Sequence, residues 1–417
     1  MPTQKLPLAL VLRIFIPFAL GYFLSYLYRV VNTVITTELA GDLGVDAAQL
    51  GLLTSIYFIT FAAFQLPLGI LLDRFGPQRV NALLLLFAAL GALVFSRAEG
   101  MNGLILGRAL IGFGVSACLM SAFKAFVQWF PKETLPLVNG LQLAAGGLGV
   151  LAASLPVEMA LTVTDWRGVF TGLALLTVLV AILIFLAVPD KPGAVPERDW
   201  RQQLRGTLSI FTARRFWNMA PVSVATQAAF LATMSLWAGP WLRDVAGMER
   251  PQAASTLSWM AVGVIAGYIF IGFIAERLGR SGHSNLQLSR LGIGLFMLVQ
   301  LGLVLELTRI STLLWILFGF FGTTGVLSYA LLSQQFAPEL AGRVNTALNL
   351  LVFVCSFVAQ WGMGAIINAH GSENGHYHPD GYQAALLLML LIQLLAMAAS
   401  SWHARRYRDR DRVLPDT

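Results

Sequence analysis

Long apolar runs, separated by short polar or glycine-containing segments, make up most of the chain. Twelve such runs are present, at residues 9–35, 48–72, 79–97, 102–130, 138–162, 168–188, 216–242, 253–276, 286–306, 311–336, 343–369 and 382–402. Because a membrane-spanning helix needs roughly 20 predominantly apolar residues, the pattern predicts an all-α membrane protein with twelve transmembrane helices. Strands of membrane β-barrels alternate apolar and polar residues instead.

The composition agrees with a chain that resides in lipid. Hydrophobic residues make up 57% of the 417 residues and charged residues only 12%, whereas soluble domains carry about 25% charged residues. The first run is long, carries Arg13 and Arg29, and lacks a small-residue cleavage site. We therefore interpret it as a retained helix rather than a signal peptide.

The distribution of basic residues predicts the orientation. If both termini are cytoplasmic, 20 of the 28 Lys and Arg residues fall on the cytoplasmic side and 5 on the opposite side. Cytoplasmic segments of membrane proteins carry such an excess, so we predict a multi-pass protein of a bacterial inner (plasma) membrane. The net charge of +7 then reflects loops near anionic lipid, and no nucleic-acid partner is expected.

A charged phrase occurs twice, each time directly after a long apolar run. "GILLDRFGPQR" stands at residues 69–79 and "GFIAERLGR" at residues 272–280, 203 residues apart. The repeat predicts two six-helix bundles, 1–188 and 216–417, the second ending in a basic cytoplasmic tail. Parallel repeats of this kind hold a substrate site between them, near the membrane midplane.

The cytoplasmic linker between the predicted bundles, residues 189–215, begins with prolines and ends with a helical pattern. Trp200, Leu204, Leu208 and Phe211 fall on one helical face, which favours a short helix lying on the lipid surface. A solvated linker explains the segment equally well.

With these features, the sequence resembles the major facilitator superfamily over nearly its whole length. The residues that match the family's motif between helices two and three are Gly69, Leu71, Asp73, Arg74, Gly76 and Arg79. A further signature, "GRALIGFGVSA", appears early in helix four, and "DWRGVF" at residues 165–170 resembles the family's entry to helix six. The resemblance implies two parallel-repeated six-helix bundles that expose one central site alternately to the two sides.

The resemblance also implies that the charged phrase acts as a latch, engaged when the cavity opens outward and broken when it opens inward. Small residues permit close helix approach, and an acid at a helix end can meet the positive N-terminus of a facing helix. We expect the second copy to be weaker because its later residues diverge. The latch residues would be Gly69, Asp73, Arg74, Gly76 and Arg79 in the first copy, and Glu276 and Arg277 in the second.

Arg29 is the most informative charge inside a predicted helix. Counting ~1.5 Å per residue from Arg13 puts it ~24 Å into a ~30 Å hydrocarbon core, and a charge at that depth normally faces a cavity or a partner. Tyr22 and Tyr26 share its helical face, and a guanidinium with tyrosine hydroxyls can bind a carboxylate or a phosphate. Alternatively, Arg29 snorkels to the outer interface or pairs with Glu38.

Further candidates for substrate binding are polar groups in other predicted helices: Gln65, Arg108, Lys124, Gln227 and Gln360. Arg108 is more often architectural in this superfamily, and Lys124 can alternatively snorkel to the cytoplasmic interface. His370, His376 and His378 lie in an outer loop that we interpret as solvated rather than as a metal site.

The stretch that starts at "YLYRVVN" is similar to sialin-like anion:cation symporters and, less closely, to organophosphate antiporters. Those symporters usually carry an acid directly before the helix-one arginine and a glutamate seven residues after the helix-four arginine. Tyr28 and Val115 stand at these positions, so the coupling is expected to differ. Glu158, near the outer end of helix five, is the better of the remaining candidates for proton coupling.

These features predict a secondary active transporter rather than an enzyme. Its substrate would be a small organic anion (a carboxylate, sugar acid or phosphate ester), moved by alternating access and driven by a proton or an exchanged anion. The alternatives are an exporter of drug-like or amphipathic compounds and a non-transporting sensor on the same fold. We expect a monomer in the lipid bilayer, without a cofactor.

Overall fold

The structure is a computed structural model that describes residues 8–130, 135–189, 209–280, 285–336, 341–373 and 376–411. The helices of the N-terminal half are α1 (Leu8–Val30), α2 (Asn32–Leu43), α3 (Ala47–Phe75), α4 (Pro77–Ser96), α5 (Met101–Val115), α6 (Cys118–Trp129), α7 (Leu135–Ala152), α8 (Leu155–Leu161) and α9 (Trp166–Ala187). Those of the C-terminal half are α10 (Arg214–Ala232), α11 (Ala238–Asp244), α12 (Arg250–Arg280), α13 (Asn285–Val304), α14 (Ser311–Gly322), α15 (Leu327–Ser333), α16 (Ala341–Ala369) and α17 (Pro379–Asp411).

Twelve segments of the described chain are long and apolar enough to cross a membrane, which confirms the predicted fold class. Four of them combine shorter helices. These spans are Met101–Trp129 (α5 and α6), Val138–Leu161 (α7 and α8), Arg214–Asp244 (α10 and α11) and Thr308–Ser333 (α14 and α15 with 3-10 turns at Thr308–Ile310 and Thr323–Val326).

The two halves repeat in detail as well as in helix count. Gly44 ends α2 and Gly247 follows α11, and both adopt a left-handed φ of 64°. They are 203 residues apart, the same spacing as the charged phrases. Asp46 then begins α3 with a capping box, in which its carboxylate accepts from the Gln49 amide at 2.8 Å and its own amide donates to the Gln49 side chain at 3.0 Å.

The seventh span contains a π-helical segment, Thr233–Trp237, between α10 and α11. Such segments loosen the backbone hydrogen bonds of the helix that they interrupt. Gln360 of α16 contacts this part of the span. Its Nε2 atom donates a hydrogen bond to the Ala232 carbonyl oxygen, at the end of α10, at 3.3 Å and to the Ser235 hydroxyl at 2.8 Å.

The halves meet where α3 packs along α16 and where α7 packs along α12. A Cβ atom on Gly51 of α3 would lie only 2.9 Å from the Gln360 carbonyl oxygen and 3.3 Å from the Gly364 Cα atom. At the same end, Arg243 donates to the Thr36 hydroxyl at 2.7 Å. Contacts between the halves therefore close the end at which α2 finishes and α12 begins.

The repeated charged phrase lies at the opposite end, after α3 and α12. Gly76 joins α3 to α4 with φ of 81°, which side chains rarely tolerate, so the turn itself requires this glycine. A Cβ atom on Gly69, in contrast, would meet no described atom within 4 Å. The described residues therefore show no close helix approach at Gly69.

The charged residues of the predicted latch are only partly described. Arg74, Arg79 and Arg277 are exposed. The side chains of Asp73 and Glu276 lie outside the described part of the structure, so the latch remains a prediction.

The predicted interfacial helix falls mostly on residues 190–208, which are outside the described ranges. Phe211 lies in a short helical turn beyond them, with its ring centroid 5.6 Å from that of Phe216.

The histidine loop forms a small antiparallel hairpin, β1 (Ser372–Glu373) with β2 (His376–Tyr377), which is anchored on α11. The Nδ1 atom of His376 lies 2.8 Å from Oδ1 of Asp244, and the Tyr382 hydroxyl donates to the other carboxylate oxygen at 2.5 Å. No group of His, Cys, Asp and Glu suited to a metal ion is present among the described residues.

Candidate functional site

A cavity of about 330 Å³ lies between the two halves. Its wall combines residues of α1, α3, α6 and α7 with residues of α10, α12, α15 and α16. A volume of this size suits a small molecule. The cavity therefore occupies the position that the repeat predicted for a substrate site.

Arg29 lies in the N-terminal wall of this cavity, and 4% of its surface is exposed. Aromatic rings surround its guanidinium carbon, at centroid distances of 4.3 Å to Tyr26, 5.3 Å to Phe353, 5.6 Å to Phe61 and 5.7 Å to Tyr57. Phe353 belongs to the C-terminal half, so the charge of α1 is enclosed by rings from both halves.

No described carboxylate pairs with Arg29, and its Nε atom is buried without a hydrogen-bond partner. Burying an ion costs several kcal/mol even after relaxation, whereas a cation–π contact returns about 0.5–2 kcal/mol. The rings therefore offset only part of this cost. An anion in the cavity would supply the missing opposite charge.

Tyr22 and Tyr26 line the cavity next to Arg29, with ring centroids 5.1 Å apart. The Tyr26 hydroxyl lies 3.4 Å from the hydroxyl of Tyr268 on α12. This contact joins the two halves at the cavity wall, so the tyrosine face predicted on α1 meets the other half at the site.

Gln65 and Gln227 also line the cavity, one from each half. The Gln65 Nε2 atom donates to the Ser116 carbonyl oxygen at 3.2 Å. The Gln227 Nε2 atom donates to the Ser223 hydroxyl at 3.1 Å. Both amides are thus held in place by neighbours, which orients them towards the cavity.

Three of the candidate residues lie away from the cavity wall. Arg108 is fully buried, and its Nη1 atom donates to the Tyr28 carbonyl oxygen at 2.8 Å, which ties α5 to α1. Gln360 is fully buried beside the π-helical segment. Lys124 is half-buried on α6. Arg108 and Gln360 hold helices together in this arrangement.

Glu158 lies at the closed end rather than in the cavity. Its Oε2 atom accepts from the Nη2 atom of Arg250 at 3.2 Å, and the same nitrogen pairs with Glu38. Glu38 and Glu158 belong to the N-terminal half and Arg250 to the C-terminal half. We call these three residues the closing cluster, because the pairs connect the halves.

Apart from Gln227, the polar residues of the C-terminal wall were missed by the sequence reasoning. Asn345 and Asn349 of α16 line the cavity together with Tyr329 of α15, whose hydroxyl donates to Oδ1 of Asn349 at 2.9 Å. The Oδ1 atom of Asn345 is buried without a partner. Two asparagines four residues apart in an apolar run share a helical face, and this signal could have identified them.

Two helical bundles around a central cavity that holds a buried arginine define the class of the protein, a multi-pass membrane transport protein. The family model of the Major Facilitator Superfamily matches residues 18–360. The chain belongs to this superfamily, and the family expected from the sequence is confirmed.

Relatives of known name share low identity with the chain. It is 23% identical to the probable galactarate/D-glucarate transporter GudP of Bacillus subtilis, over 94% of this chain and 93% of that protein. It is also 23% identical to the probable sulfoacetate transporter SauU of Cupriavidus necator, over 85% and 86%. The match to the nitrate/nitrite transporter NrtP of Picosynechococcus, at 26% identity, spans only 49% of this chain and 43% of that protein.

Solved structures agree with the fold. A bacterial homologue of the human lysosomal transporter Spinster, in an inward-facing and unoccupied conformation, has a TM-score of 0.75 at 16% identity, over 96% of this chain and 98% of that chain. The nucleoside transporter NupG has a TM-score of 0.74 at 16% identity, over 94% and 98%. At such identities the likeness concerns the fold alone.

Proposed function

We propose that the protein transports a small organic anion by alternating access, with Arg29 as the residue that binds the anionic group. The observation that carries this proposal is the buried guanidinium in the cavity wall without a carboxylate partner among the described residues. A carboxylate, sulfonate or phosphate would neutralise it and accept charge-assisted hydrogen bonds.

The rest of the wall favours a hydroxylated acid, such as a sugar acid. Gln227, Asn345 and Asn349 present amide groups in the C-terminal wall, and amides both donate to and accept from hydroxyl groups. An elongated ligand could thus place its acid group against α1 and its hydroxyl groups against α10 and α16. The names of GudP and of a hexuronate transporter of Bacillus subtilis, which is 22% identical to the chain, support this substrate class.

The closing cluster is the contact that one half of the transport cycle has to break. On the orientation predicted from the basic residues, the closed end faces outward and the cavity exchanges substrate with the cytoplasm. Separation of Arg250 from Glu38 and Glu158 would open the outer end. Because Glu158 is held in these pairs, a coupling proton would act there by neutralising the acids, and exchange of one anion for another requires no such proton.

Binding of D-glucarate to the purified transporter tests the proposal. We expect saturable binding to the wild type, and a dissociation constant at least tenfold higher for Arg29→Gln, because charge-assisted hydrogen bonds contribute roughly 1.5–3 kcal/mol. Arg309→Gln, an exposed arginine outside the cavity, is the matched control. The neutral analogue glucitol should not compete. Equal binding of glucitol and glucarate, or unchanged binding by Arg29→Gln, would refute the anion site.

Export of amphipathic compounds is the second candidate, because aromatic rings make up much of the wall. The rings of Phe61 and Phe353 stack with centroids 4.3 Å apart across the halves. An apolar ligand would bind these rings without the charge of Arg29, so its affinity should survive Arg29→Gln.

Uptake of labelled acid into proteoliposomes separates a transporter from a sensor, since only a transporter accumulates the acid inside the vesicles.

A further inference from the structure

A second cavity, of about 360 Å³, lies inside the C-terminal half between α10, α13, α15 and α17. It is at the end where α10 and α13 begin, which the basic residues assign to the cytoplasmic leaflet. Its polar lining residues include Asn218, Ser289, Arg290, Ser328, Gln335 and Ser400. None of these residues contributes to the site between the halves.

The corresponding place in the N-terminal half is filled by aromatic side chains. The ring of Phe126 on α6 lies 6.0 Å from that of Phe15 and 6.3 Å from that of Phe18, both on α1, and 5.5 Å from that of Phe130. The repeated fold therefore does not require a cavity at this position. At the repeat spacing of 203 residues, Asn218 stands where the N-terminal half has Phe15, whereas Ser289 and Ser328 correspond to Leu86 and Ala125.

Several polar groups in this second cavity have no hydrogen-bond partner in the described chain. Ser289 and Ser328 are each only 3% exposed, and neither hydroxyl has a described hydrogen bond. The Ser400 hydroxyl oxygen is buried and also unpaired. Buried polar groups normally have partners, so the unpaired Ser400 hydroxyl, beside two serines without a described hydrogen bond, indicates a polar occupant.

The charge of the lining residues favours an anion as the occupant. Arg290 is exposed at the edge of the cavity, without a described ion pair, and no carboxylate is among the lining residues that the structure describes. The N-termini of α10 and α13 add partial positive charge at the same end. The apolar remainder of the wall consists of Met219, Val222, Leu286, Ile293 and Met397. Such a wall suits a ligand with a phosphate and an apolar part.

We propose that this second cavity binds a phosphate-bearing anion, with the phosphate at Arg290 and the hydroxyls of Ser289, Ser328 and Ser400 around it. The ligand is either the headgroup of an anionic phospholipid or free phosphate from the cytoplasm. Ser223 lines this second cavity and accepts a hydrogen bond from Gln227, which lines the central cavity. One turn of α10 thus connects the two cavities. A ligand in the second cavity can therefore change the position of the Gln227 amide in the central cavity.

The test uses the full-length protein in nanodiscs and two separate probes. In the first arm, the discs contain phosphatidylcholine with or without phosphatidylglycerol, and lipids retained on the protein are measured by native mass spectrometry. In the second arm, inorganic phosphate is titrated into phosphatidylcholine discs and the melting temperature is recorded. The variants are Arg290→Gln, Ser289→Leu, which fills the cavity without changing charge, and Arg309→Gln as the control at the other end of the same half.

We expect one probe to bind the wild type and to lose about tenfold or more in affinity in Arg290→Gln and in Ser289→Leu, but not in Arg309→Gln. Retention of phosphatidylglycerol identifies a lipid ligand, and a phosphate-dependent melting temperature identifies a free anion. Binding of neither probe overturns the proposal. So does an effect of Arg290→Gln that Ser289→Leu does not share, because the contact would then be surface charge rather than the cavity.

Discussion

The Nη2 atom of Arg250 in the C-terminal half lies 3.2 Å from the Oε2 atom of Glu158 in the N-terminal half. Arg250 stands at the first position of α12 and Glu158 in the first turn of α8. The same guanidinium also pairs with Glu38, so one cation of one half holds two acids of the other. This relationship makes the closed end sensitive to a single substitution.

Arg250→Gln should shift the protein towards a conformation open at this end. Arg250 is 39% exposed, so solvent screens its pairs and their loss is worth only about 1 kcal/mol, or roughly a fivefold change in the ratio of conformations. Spin labels at Val163 and Ser372, in a background without Cys118 and Cys355, should report a longer distance between the halves. Arg309→Gln should leave the distance distribution unchanged, and an identical distribution in Arg250→Gln would contradict the role of the closing cluster.

Arg29 and Arg108 should respond in opposite directions when each is replaced by Met. Both are buried without a carboxylate partner among the described residues, and the Nε atom of each lacks a hydrogen-bond partner. Arg108 differs because its Nη1 atom donates to the Tyr28 carbonyl oxygen and ties α5 to α1, whereas Arg29 borders the central cavity. Arg108→Met removes that bond, so we expect the free energy of unfolding to fall by about 1–3 kcal/mol. The melting temperature of the variant should be lower than that of the wild type. Arg29→Met removes an uncompensated charge, so the ligand-free protein should be at least as stable as the wild type. A comparable loss in both variants would make Arg29 a structural residue.

Lysine should not replace Arg29 in binding. Its ammonium keeps the charge but loses the planar donor pair that meets two carboxylate oxygens and the flat face that stacks on the Tyr26 ring. We expect Arg29→Lys to raise the dissociation constant for D-glucarate by about tenfold, measured by isothermal titration. Wild-type affinity in the lysine variant would mean that the site recognises charge alone.

Asn345→Leu should change selectivity rather than abolish binding. The side chain lines the C-terminal wall, and its Oδ1 atom has no partner among the described residues. A hydroxylated acid would lose a hydrogen bond there, worth about 0.5–1.5 kcal/mol, whereas a short acid without hydroxyl groups would not. Competition by glucarate and by propionate against a labelled substrate measures the difference. An equal loss for both acids would place the hydroxyl-binding groups elsewhere.

The sequence predicted the membrane spans because hydropathy is a local property. It also predicted the face of α1 that lines the cavity, since Tyr22, Tyr26 and Arg29 follow the helical period. The sequence could not separate Arg29 from Arg108, because both are arginines in apolar runs and only tertiary packing gives Arg108 its carbonyl partner.

The packing of α3 against α16 could not be predicted from the sequence either. Phe353 contacts Phe61 and encloses Arg29 only because helices from different halves meet at that point. The closing cluster depends on the same kind of long-range contact. In the sequence, Arg250 stands between two apolar runs, and its two acids are in α2 and α8.

The π-helical segment Thr233–Trp237 lets the seventh span hold an extra residue without changing which face of α10 lines the cavity. A π-helical turn closes its hydrogen bonds over five residues rather than four, so it holds about one residue more than an α-helical turn for nearly the same rotation. Removal of one residue from the segment would therefore restore a regular helix with the faces of α10 and α11 nearly in phase. Gln227, six residues upstream of the segment, would stay at the central cavity, whereas a deletion between Gln227 and the segment would turn it away by about 100°.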